Sequence, residues 1–471
     1  MARRWLKALG MAAAGALLPA GGLLFAATRT APCDRAELTA SIGEHRTAAP
    51  DRLTIVLAGD AGFNVSGARV DPKGILKDKK LTSFADALSG VANEVDGDLA
   101  FVNLETVITD RNDIPPETKG KGVFHFRSHP AALKALIDAG FNLFSLANNH
   151  AYDYGALGIE ETLYHLAVAN AEKAIAFAGI GSDFAEAIKP GCVDAGGARI
   201  ALGAIGIISG DQPQYRAGPN KPGQASYRDR ADFEAVVDKL AAFPADYRVL
   251  SIHYGLEGRV EPDERQLKDW RGLAAEEKHI DLVVGHHPHV VQGVELNGKS
   301  LIFYGLGNFL HPGTSDMSRF GLCRDYGLMA KVHLARTNGA WQVGAVEAIP
   351  LTNTQIRPEA LKPEEAKKRI FALNHLAAGL DDGKNAKGVR FAPQTDGSGL
   401  YCADGAAALG GEIAALCQTW QKPGEPDAAL AKKIAEACAD KPFYGKPAVV
   451  KRRVQRPRRS GPQIFPFGGP Y

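Results

Sequence analysis

Six stretches of the chain are apolar with few breaks and end in small or polar residues: 53–60, 98–105, 141–148, 247–253, 281–285 and 300–305. Runs of this length without alternation predict strands buried on both faces. Between them apolar residues recur at helical spacing. Residues 130–138 open on Pro130 and carry Leu133, Leu136 and Ile137, which predicts an amphipathic helix with proline in its first turn. Strand and helix patterns alternate, which predicts an α/β domain on a largely parallel sheet covered on both faces. Two further runs, 327–333 and 341–347, flank Asn338-Gly339 and predict a closing β-hairpin.

The pattern divides the chain. Residues 52–350 form the expected central domain, and 351–445, rich in Ala, Leu, Lys and Glu, predict a smaller helical unit. Residues 446–471 are Pro-, Arg- and Gly-rich and predict a disordered basic tail. At the other end, 1–30 join a basic head (Arg3, Arg4, Lys7) to an apolar run from Ala8 to Ala27, the grammar of a signal peptide or an N-terminal membrane anchor. A polar linker follows at 31–51. The protein is therefore expected to be exported, in the periplasm or elsewhere outside the cytoplasm, or anchored in the membrane.

Composition refines this reading at three points. With 45% hydrophobic and 23% charged residues among 471, the chain is neither wholly disordered nor a multi-span membrane protein. The net charge of +2 conceals ten basic residues in the first seven and last 26 positions; without them residues 8–445 stand at −8. The folded body is mildly acidic, and no nucleic-acid partner is expected. Six cysteines permit disulfides in an oxidising compartment, with at least one expected among Cys402, Cys417 and Cys438; the remaining pairing is open.

The candidate chemistry lies where the strands end. Asp60, Glu105, Asn148-Asn149-His150, His253 and His286-His287-Pro288-His289 each close a strand pattern. In open α/β sheets such ends converge on one edge, so these distant residues would meet there. Singly, Asp60 and Asn149 also read as helix caps and His253 as a core histidine. Together, carboxylate, amide and imidazole suit Mn, Fe or Zn, one or two ions. His287 and His289, two apart in an extended segment, would point the same way. His286 could supply a ligand or face the sheet, and His287 is favoured. Arg127 and Glu257 are candidate substrate-binding residues, Arg127 because a guanidinium matches phosphate or carboxylate groups. Asn308 is expected to shape the rim.

Several blocks then fall into a known order. Phe124-His-Phe-Arg-Ser-His-Pro-Ala-Ala-Leu-Lys134, Asn148-Asn-His-Ala-Tyr-Asp-Tyr-Gly155, Ile252-His-Tyr-Gly-Leu-Glu257, Gly285-His-His-Pro-His-Val-Val-Gln292 and Tyr304-Gly-Leu-Gly-Asn-Phe309 resemble successive blocks of the capsule-synthesis protein CapA family. The resemblance covers about half the chain and implies a calcineurin-like metallophosphoesterase fold, a layered α-β-β-α sandwich. It implies that Asp60 is the ligand after the first strand and Glu105 the bridging one. Asn149 would be the amide ligand, with His253, His287 and His289 completing the set. His150 would be the general acid, oriented by Asp153. Two departures stand out: the histidine usual shortly after the first Asp is absent, Asn64 being the nearest polar side chain, and Glu replaces the bridging Asp.

The expected function is capsule, poly-γ-glutamate or related envelope-polymer synthesis or export. The expected chemistry is metal-dependent hydrolysis of an anionic polymer or a phosphate-containing small substrate, within a membrane-bound synthesis complex. A non-catalytic polymer-binding subunit and an exported phosphoesterase or nucleotidase are the competing expectations.

Overall fold

The computed structural model describes residues 51–117, 123–208, 212–275 and 277–439. Two mixed sheets, of ten and seven strands, face each other. The first centres on Arg52–Ala61, which pairs in parallel with Leu99–Leu104; Leu143–Ser145 and Ala176–Ala178 continue the parallel series. On its other side Arg52–Ala61 pairs with the antiparallel strand Gly327–Thr337 and, in parallel, with the short strand Asn308–Leu310. The second sheet has a parallel centre of Ala198–Gly206, Tyr247–His253, Leu282–His286 and Ser300–Phe303, with antiparallel strands outside it.

Alternate side chains of each central strand serve different layers. Ile55, Leu57, Phe101, Leu202, Val249, Val284 and Phe303 belong to the core between the sheets. Val56, Val102 and Phe144 pack instead with helices Phe84–Leu88, Pro130–Asp138 and Gly155–Glu172. On the opposite side Ile205, Leu250, Val283 and Ile302 pack with Arg230–Ala241 and Glu264–Arg271. The result is the four-layer α-β-β-α sandwich. The single covered sheet expected from strand pattern alone becomes two, because an apolar run reports burial on both faces and not whether helix or sheet lies above it.

Local signals held where they were strong. The helix Pro130–Asp138 forms at its expected bounds, capped by the His129 ring, which accepts the Ala131 amide. Asn338 and Gly339 have φ of 51° and 81°, the left-handed pair that a two-residue hairpin needs, and join Gly327–Thr337 to Ala340–Thr352.

The segment beyond residue 350 departs from the helical unit expected. It contains helices Pro363–Ala378, Gly411–Cys417 and Ala428–Cys438, yet Gly399–Cys402 pairs with Ala340–Thr352 in the first sheet and Ala386–Gly388 with Val294–Asn297 in the second. Its Ile370, Leu373 and Phe391 enter the core between the sheets. Strands of three or four residues leave too little periodicity to show against a helix-forming composition. Disulfides Cys402–Cys417 and Cys323–Cys438 fasten the last two helices, and Cys192 is disulfide-bonded as well. Among the described residues no helix is long and apolar enough to cross a membrane. The N-terminal segment 1–30, nearly all of the 31–51 linker and the 446–471 tail lie outside the described residues.

Candidate metal centre

The parallel strands deliver their last residues to one place. Asp60 sits near the end of Arg52–Ala61, and Glu105 follows Leu99–Leu104. His253 and His286 each end a strand of the second sheet. Close approach of the first strand to the Gly307 carbonyl helps set this edge: Asp60 N donates to Gly307 O at 3.0 Å, and a Cβ on Gly59 would collide with that oxygen.

Glu105 is the centre of the cluster. It is fully buried, and both its carboxylate oxygens lack a hydrogen-bond partner. Its Oε1 lies 3.5 Å from His253 Nε2, 3.8 Å from His289 Nε2 and 3.9 Å from His150 Nε2, and its Oε2 lies 3.6 Å from His311 Nε2. A buried carboxylate ringed by imidazole nitrogens it does not bond calls for a cation, since such unpaired groups are rare in native interiors. Ligand atoms of Glu105, His287 and His289 lie within 4.8 Å of one another, as do those of Asp60, Glu105 and His253.

Asp60 is braced from several sides. Its Oδ1 accepts from Asn103 Nδ2 at 2.8 Å and lies 3.0 Å from His286 Nδ1; its Oδ2 accepts the His287 amide at 3.2 Å and lies 3.3 Å from His289 Nδ1. Burial pushes its pKa up, but the bonds to His286 and His289 outweigh that and hold it well below the usual carboxylate range. Glu105 has no such support, and burial, reinforced by Asp60, pushes its carboxyl up to about 8. His289 is raised to about 10: burial opposes its charge, but Glu105 and Asp60 favour it more strongly. Burial holds His287 down to about 4 and His253 well below 6.5, so both present the neutral, ligating imidazole.

His287 and His289 are brought together differently from the expectation. Their φ angles of 93° and 56° make the segment a left-handed turn and not an extended run. Such backbone costs free energy in non-glycine residues and concentrates at functional sites. Here the His287 amide bonds Asp60, and His289 Nδ1 bonds Asn308 Oδ1 at 2.9 Å, which over-determines the turn.

The other candidates separate clearly. Asn149 Oδ1 lies 2.6 Å from His253 Nε2, within the cluster. His150 stands at its edge with Nδ1 2.8 Å from Asp153 Oδ2; burial lowers its pKa, but Asp153 outweighs this and raises it. Asn308 buttresses His289 and donates to Thr314 Oγ1 at 3.0 Å, consistent with a shaping role. Glu257 is exposed, and its charge raises the pKa of His287 and His289, so it faces the cluster from the rim. Arg127 does not reach for substrate: it is buried, its Nε and Nη1 donate to the carbonyls of Ala68 and Arg111, and its guanidinium covers the Tyr154 ring. The charge-based reading missed that backbone carbonyls use these donors.

Two contributors, Asn103 and His311, were absent from the candidate set, and a third, His286, was ranked behind His287. Asn103 lies inside a strand and bridges Asp60 to His253 Nδ1, 3.2 Å away, with no sequence signal beyond one amide in an apolar run. His286, for which a sheet-facing role was weighed, stacks on Phe101 while contacting Asp60. His311 follows Asn308–Leu310, a strand of only three residues, and was overlooked for that reason.

Comparison with known proteins now bears on this arrangement. The family described as "Bacterial capsule synthesis protein PGA_cap" matches residues 54–312, which is more than half of the chain and spans every residue of the cluster. The chain belongs to this family. PGA_cap relatives include the "PGA biosynthesis protein CapA" of Bacillus subtilis, 28% identical over 264 residues, covering 55% of this chain and 65% of the relative. The "Capsule biosynthesis protein CapA" of Bacillus anthracis is 28% identical over 251 residues, covering 52% and 56%. The chain thus spans less than two thirds of the length of these PGA_cap relatives. Among solved structures, the calcineurin-like phosphoesterase YfkN of Bacillus subtilis aligns with a TM-score of 0.35 at 14% identity, over 66% of this chain and 90% of that one.

Proposed function

We propose that this PGA_cap protein is a metal-dependent, hydrolase-type component of capsule or polyglutamate-type envelope-polymer synthesis, acting outside the cytoplasm on an anionic substrate. The observation that carries the reading is the unpartnered, buried carboxylate of Glu105 amid imidazoles, with the His150–Asp153 pair at its edge.

Asp60, Glu105, Asn149, His253, His287 and His289 would hold one or two divalent ions, and their oxygen and imidazole donors suit Mn, Fe or Zn. Bound there, such an ion supplies Lewis acidity toward an anionic oxygen. The chain's own groups divide the remaining work. Asn103 and His286 hold Asp60 ionised and oriented. His150 presents Nε2 to the cluster while Asp153 fixes Nδ1, so its proton is available to a leaving group on the Glu105 side. Glu257 at the rim and the basic 446–471 tail are the groups that would sense substrate charge, the tail by attracting a polyanion or acidic lipid headgroups.

Family membership supports the pathway, and relatives named for PGA and capsule biosynthesis support an anionic polymer and a synthesis complex as partners. Disulfides and the basic-apolar N-terminus support export. Elemental analysis of the purified protein, with hydrolysis assays on phosphoesters and poly-γ-glutamate, tests the proposal. Metal with measurable hydrolysis is expected. Metal without hydrolysis of either class would make the anchored, non-catalytic polymer-binding subunit the better account, and a protein that binds no divalent metal would end the metal-centre reading.

A further inference from the structure

We infer that His311 is a metal ligand of this centre, supplied by a strand other than those that carry the remaining ligands. The inference rests on the metal-centre reading above and adds a residue to it.

Both ring nitrogens of His311 are buried without a hydrogen-bond partner, and the residue has no exposed surface. The large majority of buried side-chain polar atoms in native proteins have a hydrogen-bond partner. His311 leaves both open and turns Nε2 toward the Oε2 of Glu105, 3.6 Å away, whereas His253, His289 and His150 approach Oε1. The two carboxylate oxygens therefore face different imidazoles, as a carboxylate between two cation positions would. The His311 ring centroid lies 6.1 Å from that of His289.

The fold explains how this histidine arrives. Asn308–Leu310 runs parallel to Arg52–Ala61 with Asn308 beside Asp60, so the next residue emerges at the edge where Asp60 does. Gly62 makes room for it: a Cβ there would lie 3.0 Å from His311 Nε2. The imidazole occupies the space that a side chain at position 62 would take, just after the strand bearing Asp60. Its backbone is pinned, with N donating to Thr354 O at 2.7 Å and O accepting from Thr314 Oγ1 and from Gln355 Nε2. The Phe126 ring meets its edge at 4.9 Å. A ring held this firmly with both nitrogens free is preorganised for a ligand.

The test is metal binding by the purified full chain, with Zn(II) and Co(II) as probes, for wild type, His311→Ala and His311→Gln. Circular dichroism confirms folding, and His311→Gln keeps a polar side chain of similar length in case the alanine variant collapses. Expected are the loss of a bound equivalent, or weakening beyond the ~10–100-fold that losing an outer-sphere partner costs, and a changed Co(II) visible spectrum. If wild type binds metal and both folded variants match it in stoichiometry, affinity and spectrum, His311 is no ligand, while the metal centre itself stands. If wild type binds neither probe, the metal-centre reading fails and this inference with it.

Discussion

His150 Nδ1 and Asp153 Oδ2 lie 2.8 Å apart, and that same oxygen accepts the Phe126 amide at 2.6 Å. The carboxylate cannot swing away without losing a backbone bond, so the imidazole it holds keeps Nε2 toward Glu105. The Phe126 ring, 4.4 Å from that of His150 by centroid, closes the other side.

Replacing His150 with Asn should separate chemistry from metal binding. Metal content should stay near wild type while turnover falls about 10²–10⁴-fold, the usual worth of general acid–base catalysis. Parallel elemental analysis and steady-state assays read both. Wild-type turnover in the variant would remove His150 from the chemistry.

Glu105→Gln and His289→Ala should both reduce bound metal. They should differ in the metal-free protein: burial raises the Glu105 carboxyl to about 8 and Glu105→Gln cannot ionise at all, so above that pH the variant's unfolding temperature should equal or exceed that of wild type. The rise in unfolding temperature on adding metal should vanish in both. Thermal scans with and without a chelator measure this.

The disulfides should rank by the loop they close. Cys402 and Cys417 are 15 residues apart and Cys323 and Cys438 are 115 apart. Chain entropy assigns about 3 kcal/mol to the shorter and close to 5 kcal/mol to the longer. Denaturant titration of the paired Ser variants should show the larger loss for Cys323→Ser/Cys438→Ser. Thiol titration of the denatured, unreduced wild type should find Cys323, Cys402, Cys417 and Cys438 unreactive.

Asp281 offers a pH test away from the cluster. Burial raises its pKa to about 6 despite the bond it accepts from the Arg248 amide at 2.7 Å. The folded state thus holds this proton more tightly than the unfolded state, where the value is near 3.8. Stability should therefore fall as pH rises from about 4 through 6. Asp281→Asn, uncharged throughout, should gain about 1–3 kcal/mol relative to wild type between pH 4 and pH 7. Denaturant midpoints at the two pH values decide it; no change in the difference would show that Asp281 ionises freely.

Much of this protein was legible because its centre is built at the ends of parallel strands. An apolar run that stops at Asp60, Glu105 or His253 carries its own address, since strand direction alone sends these residues to one edge. Family order in the blocks around Asn149, His150, His287 and His289 carried the rest of the cluster. Arg127 shows the limit of reading charge without neighbours: its sequence context says guanidinium, and only the carbonyls of Ala68 and Arg111 say that it is a tie within the fold.

What the sequence by itself determined was the set of buried strands, the helix Pro130–Asp138, the Asn338-Gly339 hairpin and most of the residues that meet in the candidate centre. Tertiary structure alone decided that the strands divide into two sheets, that Gly399–Cys402 and Ala386–Gly388 join different ones, and that His311 stands over Gly62 against Glu105. The physical reason is range. Periodicity and capping are set by neighbours along the chain, whereas pairing of short strands and the filling of space beside a glycine depend on residues tens to hundreds of positions away, which only the packed fold brings within a few ångströms.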